Sequence, residues 1–511
     1  MQHRHKQQGM ILGVLAMLFA IGIATALTTE FARNNAALKR DRISDEALAR
    51  AREALIGYAT GRPVDNVVGP GYLPCPDLDD DGWAESTCGS QSGDIGQAER
   101  LGRLPWKTLG VGDLRDGYGE RLWYAVSSKY KGLLNCTLTP DCLDMSPDAA
   151  LGTITVRDPG GEIVHDGRSA NLYAPGSGGA AAVVIAPGPA LSRGTVPQDR
   201  SCTGGECNGA GHCISKPWSL TPKCNPVNYL DRATINGIDE DNASFADRND
   251  AAGRRLNGDG FVRGPVRAAS GAVLVNDRVA VIGYDDIVPG VMLRVAQEVA
   301  LCLREYASQP QNRGRYPWPA PTCRQGNGDA AIAWSDGANV LFGRVPEAPF
   351  RATRESSAGE MSENWVGACS IAGNPGLGWW QAWKRHVFYA IGVARRPQAG
   401  AARPCSDEAS CLQMQDGEGR VFATGKEFAV LVAGAPMGTA ALAQSHGTAT
   451  LVEVRHWLEG SNAELQRMNP NPASSACAPD RSLASCAPLS SCNRITTARG
   501  RESNDVALAW P

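Results

Sequence analysis

An excess of charge of either sign is missing from this chain: 50 Lys and Arg stand against 53 Asp and Glu, a formal net charge of −3 over 511 residues. With no basic block, recognition of nucleic acid through a charged face is disfavoured. Catalytic signatures are missing too. There is no Gly-x-Ser-x-Gly elbow, no His-Glu-x-x-His and no phosphate-cradling Gly loop, so the sequence reads as that of a non-enzymatic protein. Ser177 lies in a Gly-rich turn, Ser445 and His446 are merely adjacent, and His165, His212, His386, His446 and His456 show no ligand spacing. Aromatic residues are few, 6% of the chain with 9 Phe.

Cysteine, glycine and proline are plentiful. The 16 Cys point to an oxidising compartment, because reducing cytosol keeps thiols free. With 58 Gly, 32 Pro and 43% hydrophobic residues, the chain carries much loop around sizeable cores, and its length fits two large domains or three ordinary ones. Residues 2–8 include Arg4 and Lys6 with no acid, Gly9 follows, and an apolar run occupies 10–27. Eighteen helical residues cover ~27 Å, near a hydrocarbon core of roughly 30 Å, so one membrane span is expected. Positive charge before the run keeps the leader cytoplasmic and sends the rest across. A cleaved secretory signal ending at Ala24-Thr25-Ala26 and an uncleaved signal anchor also fit these residues.

A basic leader ending in Gly9, then Met10, then an unbroken apolar helix resembles the leader of type IV prepilins and type II secretion pseudopilins. The resemblance implies cleavage after Gly9 by a prepilin peptidase, a mature start at Met10, and assembly with other pilin-like subunits. Downstream, Phe31, Ala36, Leu38, Ile43, Ala47, Leu48, Ala51, Leu55 and Tyr58 form an amphipathic stripe ending at Gly61. A long N-terminal helix of this kind is a feature of that family. The family's Glu at the fifth mature position is here Val14, which points to a minor component.

The chain also repeats itself. Tyr58-Ala59, Pro74-Cys75-Pro76, Gly102-Arg103-Leu104-Pro105 and Trp123-Tyr124-Ala125-Val126 are answered in order by Tyr306-Ala307, Pro317-Trp318-Pro319, Gly343-Arg344-Val345-Pro346 and Phe388-Tyr389-Ala390-Ile391. Tyr229-Leu230-Asp231 and Asn276-Asp277 recur as Trp457-Leu458-Glu459 and Asn504-Asp505, both at an offset of 228. These matches divide the chain into a cytoplasmic leader (1–9), a transmembrane or filament-core segment (10–27) and two related modules (28–284 and 285–511). The second module opens with a helix near 286–307, marked by Asp285-Asp286 and Pro289. The expected fold is α+β: a long N-terminal membrane helix, then two modules, each a helix packed on an antiparallel β-sheet with disulfide-rich loops. The helix, the Pro74-Cys75-Pro76 turn, Gly102-Arg103-Leu104-Pro105-Trp106 and the Asp-Gly-Tyr-Gly-Glu-Arg-Leu-Trp-Tyr run at 116–124 resemble a group of large bacterial pilin-like exported proteins.

Each module holds eight cysteines, as expected if each closes its own bridges. A shared spacing favours Cys136 with Cys142 and Cys405 with Cys411, and Cys75 with Cys88 is the next candidate. Cys202, Cys207, Cys213 and Cys224 beside His212 lack the tight spacing of zinc knuckles and are read as disulfides. Asp77, Asp79 and Asp81 alternate, Gly82 follows, and Glu85 takes the ninth position, as in the front half of an EF-hand loop; Cys88 replaces the twelfth-position Glu. The loop is therefore a candidate structural Ca²⁺ site, with a solvated acidic turn as the other reading. Six of the 12 Trp fall between 318 and 383, and they read as core filling or as a binding face.

The function expected from these features is a pilin-like structural subunit, a minor pilin or pseudopilin of a type IV pilus or type II secretion filament. It would be held in the inner membrane by a single pass, display its C-terminal region in the periplasm or at the cell surface, and act in assembly or surface contact. The alternative is an exported hydrolase or ligand-binding protein with no filament role.

Overall fold

The computed structural model describes residues 3–62, 64, 69–88, 100–131, 145–148, 150–167, 178–193, 196–200, 225–244, 260–320, 322, 340–346, 361, 365, 369, 371, 379–397, 402–406, 410–437, 444, 446, 454–469, 486, 489–497 and 503–510. Two helices dominate: α1, His3–Gly61, and α2, Tyr284–Ser308. The first half carries strands β1 (Leu101–Arg103), β2 (Trp123–Val126), β3 (Thr155–Arg157), β4 (Ile163–His165), β5 (Ala182–Ala186), β6 (Ser192–Arg193), β7 (Val196–Pro197), β8 (Arg232–Ile235), β9 (Ile238–Asp241), β10 (Gly260–Val262), β11 (Val266–Arg267), β12 (Val273–Val275) and β13 (Arg278–Ile282). The second half carries β14 (Phe342–Arg344), β15 (Val387–Ile391), β16 (Leu412–Gln415), β17 (Val421–Lys426), β18 (Phe428–Val432), β19 (Arg494–Thr496) and β20 (Val506–Trp510).

The expected membrane helix is overturned. No helix among the described residues is long and apolar enough to cross a membrane. The apolar run of α1 occupies residues 10–27. Beyond it the sequence turns polar within two residues of Ala26, at Thr28-Thr29-Glu30. A single antiparallel sheet per module is likewise replaced by several small sheets, some of them mixed.

Each half is built on a four-stranded antiparallel sheet, ordered β1-β2-β5-β13 in the first and β14-β15-β18-β20 in the second. Each also has a three-stranded sheet with one parallel and one antiparallel pair: β10-β3-β4, and β17-β16-β19. The period-2 alternation of strand side chains sorts the first sheet into two cores. Tyr124 and Val126 of β2, with Ala182, Val184 and Ala186 of β5, face the helices. Trp123 and Ala125, with Val183 and Ile185, face Ile154, Val156, Phe261 and Tyr229 on the side of the mixed sheet. Because both faces are covered, β2 and β5 are buried at every position and read as continuous apolar runs.

Helix α1 enters the core through Ala47, Leu48, Ala51, Leu55 and Ala59, an i, i+4 stripe, and packs on β5 and β13. The α2 helix buries Val288, Met292, Val295, Val299, Leu303 and Tyr306 and packs on β18 and β20. The helices also touch one another, and their apolar faces merge into one core shared by the two halves. Arg52 of α1 donates to the Val281 carbonyl at 3.1 Å and pairs with Asp286 of α2. The start of α2 is capped at Gly283, whose N–H donates to the Asp286 carboxylate at 2.9 Å; Pro289 falls inside the helix rather than in its first turn.

Candidate functional site

The acidic loop begins where the chain leaves Pro74-Cys75-Pro76. Cys75 and Cys88 are bonded across it, with Cα atoms 5.6 Å apart, and backbone pairing of Asp77 with Arg103 ties its first residue to β1. Asp77 is buried; one carboxylate oxygen accepts from Gly82 N at 2.7 Å and the other from Asp81 N at 3.2 Å. Gly82 has φ +91°, and a Cβ there would meet the Trp106 ring at 2.7 Å, so conformation and contact both require glycine. Asp77, Asp79 and Glu85 each bring one oxygen to within 4.8 Å of the other two. Asp81 does not join them: its carboxylate accepts from Trp83 N at 2.7 Å, and its carbonyl accepts from the Lys107 ammonium. The intervening Asp80, at φ +63°, turns instead to Arg121 at 2.9 Å.

Burial pushes the Asp77 carboxyl up to about 7, with the charges of Asp80, Asp81 and Asp79 adding to the effect and the Gly82 hydrogen bond opposing it. Three converging carboxylates with a backbone turn suit a hard divalent cation that takes oxygen ligands. Among the described residues the second half shows no such loop: the residue paired with Arg344, as Asp77 is with Arg103, is Ala320.

The repeated motifs form a second construction, present in both halves. Arg103 lies over Trp123 and Tyr229, at 4.2 and 4.1 Å from their ring centres; Arg344 lies over Phe388 and Trp457 at 3.8 and 5.0 Å. The Tyr124 hydroxyl donates to the Pro74 carbonyl, and that of Tyr389 to the Pro317 carbonyl. Beside each stack sits a buried carboxylate pair. Asp277 accepts from Asp231 N and from Asn242 Nδ2, both at 2.8 Å; Asp505 accepts from Glu459 N at 3.1 Å and Asn462 Nδ2 at 3.2 Å. Asn242 and Asn462 also bind backbone, accepting from Val262 N and Thr496 N. Burial raises all four carboxyls above the ordinary range, Asp231 to about 6, and like charge adds to it at Asp277 and Asp505. Thus the motifs at the 228 offset brace the inner sheet against the mixed sheet.

The remaining sequence expectations fall as follows. Gly9 and Met10 lie within α1. Cys405 and Cys411 are bonded; Cys136 and Cys142, and the four cysteines from Cys202 to Cys224, lie outside the described residues. Two further bridges, Cys302–Cys369 and Cys486–Cys492, join these among the described residues, and the second repeats the spacing of Cys405 and Cys411. All four described bridges stay within one half. Trp318, Trp379, Trp380 and Trp383 are buried in the core, so they offer no face to a ligand.

Sequence spacing also missed a cluster of Asp148, His386 and His446, each of which brings one ligand-type atom to within 4.8 Å of the other two. Burial holds the His386 imidazole well below its ordinary pKa, helped by His446, Arg385 and Arg344. In comparisons with known proteins, no family model, no curated protein and no solved structure matches this chain.

Proposed function

We propose that this chain is an exported, pilin-like structural subunit, a minor pilin or pseudopilin of a type IV pilus or type II secretion filament, acting in assembly or surface contact. The observation that carries the reading is the free end of α1. From Ala47 the helix is fixed in the core, whereas Val14, Leu15, Met17, Leu18, Phe19, Ile21 and Ile23 are all exposed, Phe19 at 75%. A helix that is apolar all round is stable only when other apolar surface covers it. Like helices of neighbouring subunits are the covering surface, and the rest of the chain is the displayed headgroup. Four described disulfides support an oxidising compartment outside the cytoplasm. The two halves, 28–284 and 285–511, are read as one duplicated module, on the strength of their identical sheet orders and paired motifs.

The leader is read as the substrate of a prepilin peptidase that cuts after Gly9. Intact-mass measurement of the chain recovered from a host with that peptidase should give a start at Met10, and a start at Leu27 would sink the reading. Replacing Leu18 and Phe19 by Glu should block incorporation into filaments while leaving the melting of the headgroup unchanged, because neither side chain touches it. Unimpaired incorporation would contradict the proposal.

The acidic loop is further proposed to hold a structural Ca²⁺ through Asp77, Asp79 and Glu85. The convergence of these oxygens around a carboxyl strained by burial and like charge supports it.

A further inference from the structure

Three side chains from distant parts of the chain meet at the junction of the halves. Asp148 ends a turn in the first half, His386 precedes β15, and His446 belongs to a later segment of the second half. His446 Nδ1 lies 2.8 Å from one Asp148 carboxylate oxygen, and His386 Nε2 lies 3.6 Å from the other. His386 is fully buried, and neither of its ring nitrogens has a hydrogen-bond partner among the described residues; Nε2 of His446 has none either. Buried polar atoms in native structures are nearly always satisfied, and a bound water or ion is a standard reason for an exception. Trp457 fixes the imidazoles in place, stacking on His446 at 4.0 Å with the planes 3° apart and meeting His386 edge-on at 5.1 Å.

We propose that Asp148, His386 and His446 bind one first-row transition-metal dication of the zinc type, which ties the first half to the second. The chemistry is that of two imidazoles and a carboxylate, the donor set of zinc, iron and copper centres rather than of calcium. The spacing agrees. With metal–nitrogen bonds of about 2.0–2.1 Å and tetrahedral angles, two ligating imidazoles have ring centres about 5 Å apart; those of His386 and His446 are 5.6 Å apart. The same geometry sets ligand atoms roughly 3.3 Å from each other, against 3.6 Å between His386 Nε2 and Asp148 Oδ2. The metal takes up a His386 nitrogen lone pair that has no described partner, and the Asp148 charge offsets part of its own. Three protein ligands leave a fourth position for water or for a group from a partner.

The test uses the full chain stripped with chelator and titrated with Co²⁺, then Zn²⁺. One equivalent of Co²⁺ should give visible d–d absorption that Zn²⁺ abolishes, and Zn²⁺ should raise the melting temperature. Binding should weaken at least tenfold in Asp148→Asn and in His446→Gln, and should persist in the chain carrying His3→Ala and His5→Ala. Absence of the band in the wild-type chain, unchanged binding in both site variants, or loss of binding in the His3, His5 variant would overturn the assignment. Because a site variant can fail to fold, zinc-edge X-ray absorption on the wild-type chain supplies an independent readout: two imidazoles with oxygen donors support the proposal, and sulfur donors or an all-oxygen shell overturn it.

Discussion

Replacing Asp277 by Asn should change how the protein responds to pH more than it changes its fold. Asp277 is fully buried and uses only one carboxylate oxygen, as acceptor for Asp231 N and Asn242 Nδ2; its second oxygen has no hydrogen-bond partner among the described residues. An Asn amide oxygen can accept both bonds while its NH₂ group takes the unpaired position without charge. A buried carboxyl with a raised folded-state pKa binds its proton more tightly than the unfolded chain does, so stability is full at acid pH and is lost as pH rises through the folded value. The neighbouring Asp231 sets the scale: lifted from 3.8 to about 6, it loses up to ~3 kcal/mol between those limits, at about 1.4 kcal/mol per pH unit. Asp277, raised first by burial and then by the Asp231 charge, loses stability in the same direction. Urea unfolding at about pH 5 and about pH 8 should therefore show the wild type weakening with alkali and Asp277→Asn weakening less, the variant being the more stable of the two at the higher pH. By contrast, Asp277→Ala orphans two buried donors and should destabilise at both pH values, by about 1–3 kcal/mol per donor. An Asn variant as steep in pH as the wild type would show that Asp277 is not the titrating group.

Three other outcomes are expected. Opening the Cys302–Cys369 bridge, which closes the longest described loop, 67 residues apart in sequence, should cost about 4 kcal/mol by chain entropy; the six-residue separation of Cys405 and Cys411 corresponds to about 2 kcal/mol, and calorimetry of the paired Ala variants checks the order. Gly343→Ala should destabilise by well over ~1 kcal/mol, because its Cβ would collide with the Ala320 carbonyl in the backbone pair that holds β14; a melting point equal to wild type would contradict that packing. Millimolar Ca²⁺ should raise the melting temperature, less so as pH falls below about 7, where a proton competes for Asp77, and Asp79→Ala should remove the gain; identical melting with Ca²⁺ and chelator would leave the loop an acidic turn.

Local chemistry carried much of the architecture into the sequence. The heptad-like spacing of Met292, Val295, Val299 and Leu303 marks α2, and its observed span, Tyr284–Ser308, differs from the expected 286–307 by the reach of Asp286 back to Gly283. The runs 182–186 and 428–432 are apolar throughout because both faces of their strands are covered, which is visible without knowing what covers them. The end of α1 at Gly61 and the closing of the Cys75–Cys88 loop likewise depend on near neighbours.

What periodicity could not supply is everything set by contact between remote segments. The parallel pairings β3 with β10 and β16 with β19 join residues about a hundred or eighty apart, and nothing in either strand names its partner. The length of the N-terminal apolar run suggests a membrane span, whereas no helix among the described residues is long and apolar enough to cross one. In the acidic loop, alternation proposed three aspartates, whereas Lys107 and the Trp83 amide draw Asp81 away and leave Asp77, Asp79 and Glu85. Residues within a few turns of each other set the two long helices, the apolar central strands and the repeated polar motifs, which is why these are legible without the fold. Only packing decided that Asp231 meets Asp277, and that Asp148 meets His386 and His446, because burial of charge and lone pairs is a property of the assembled core.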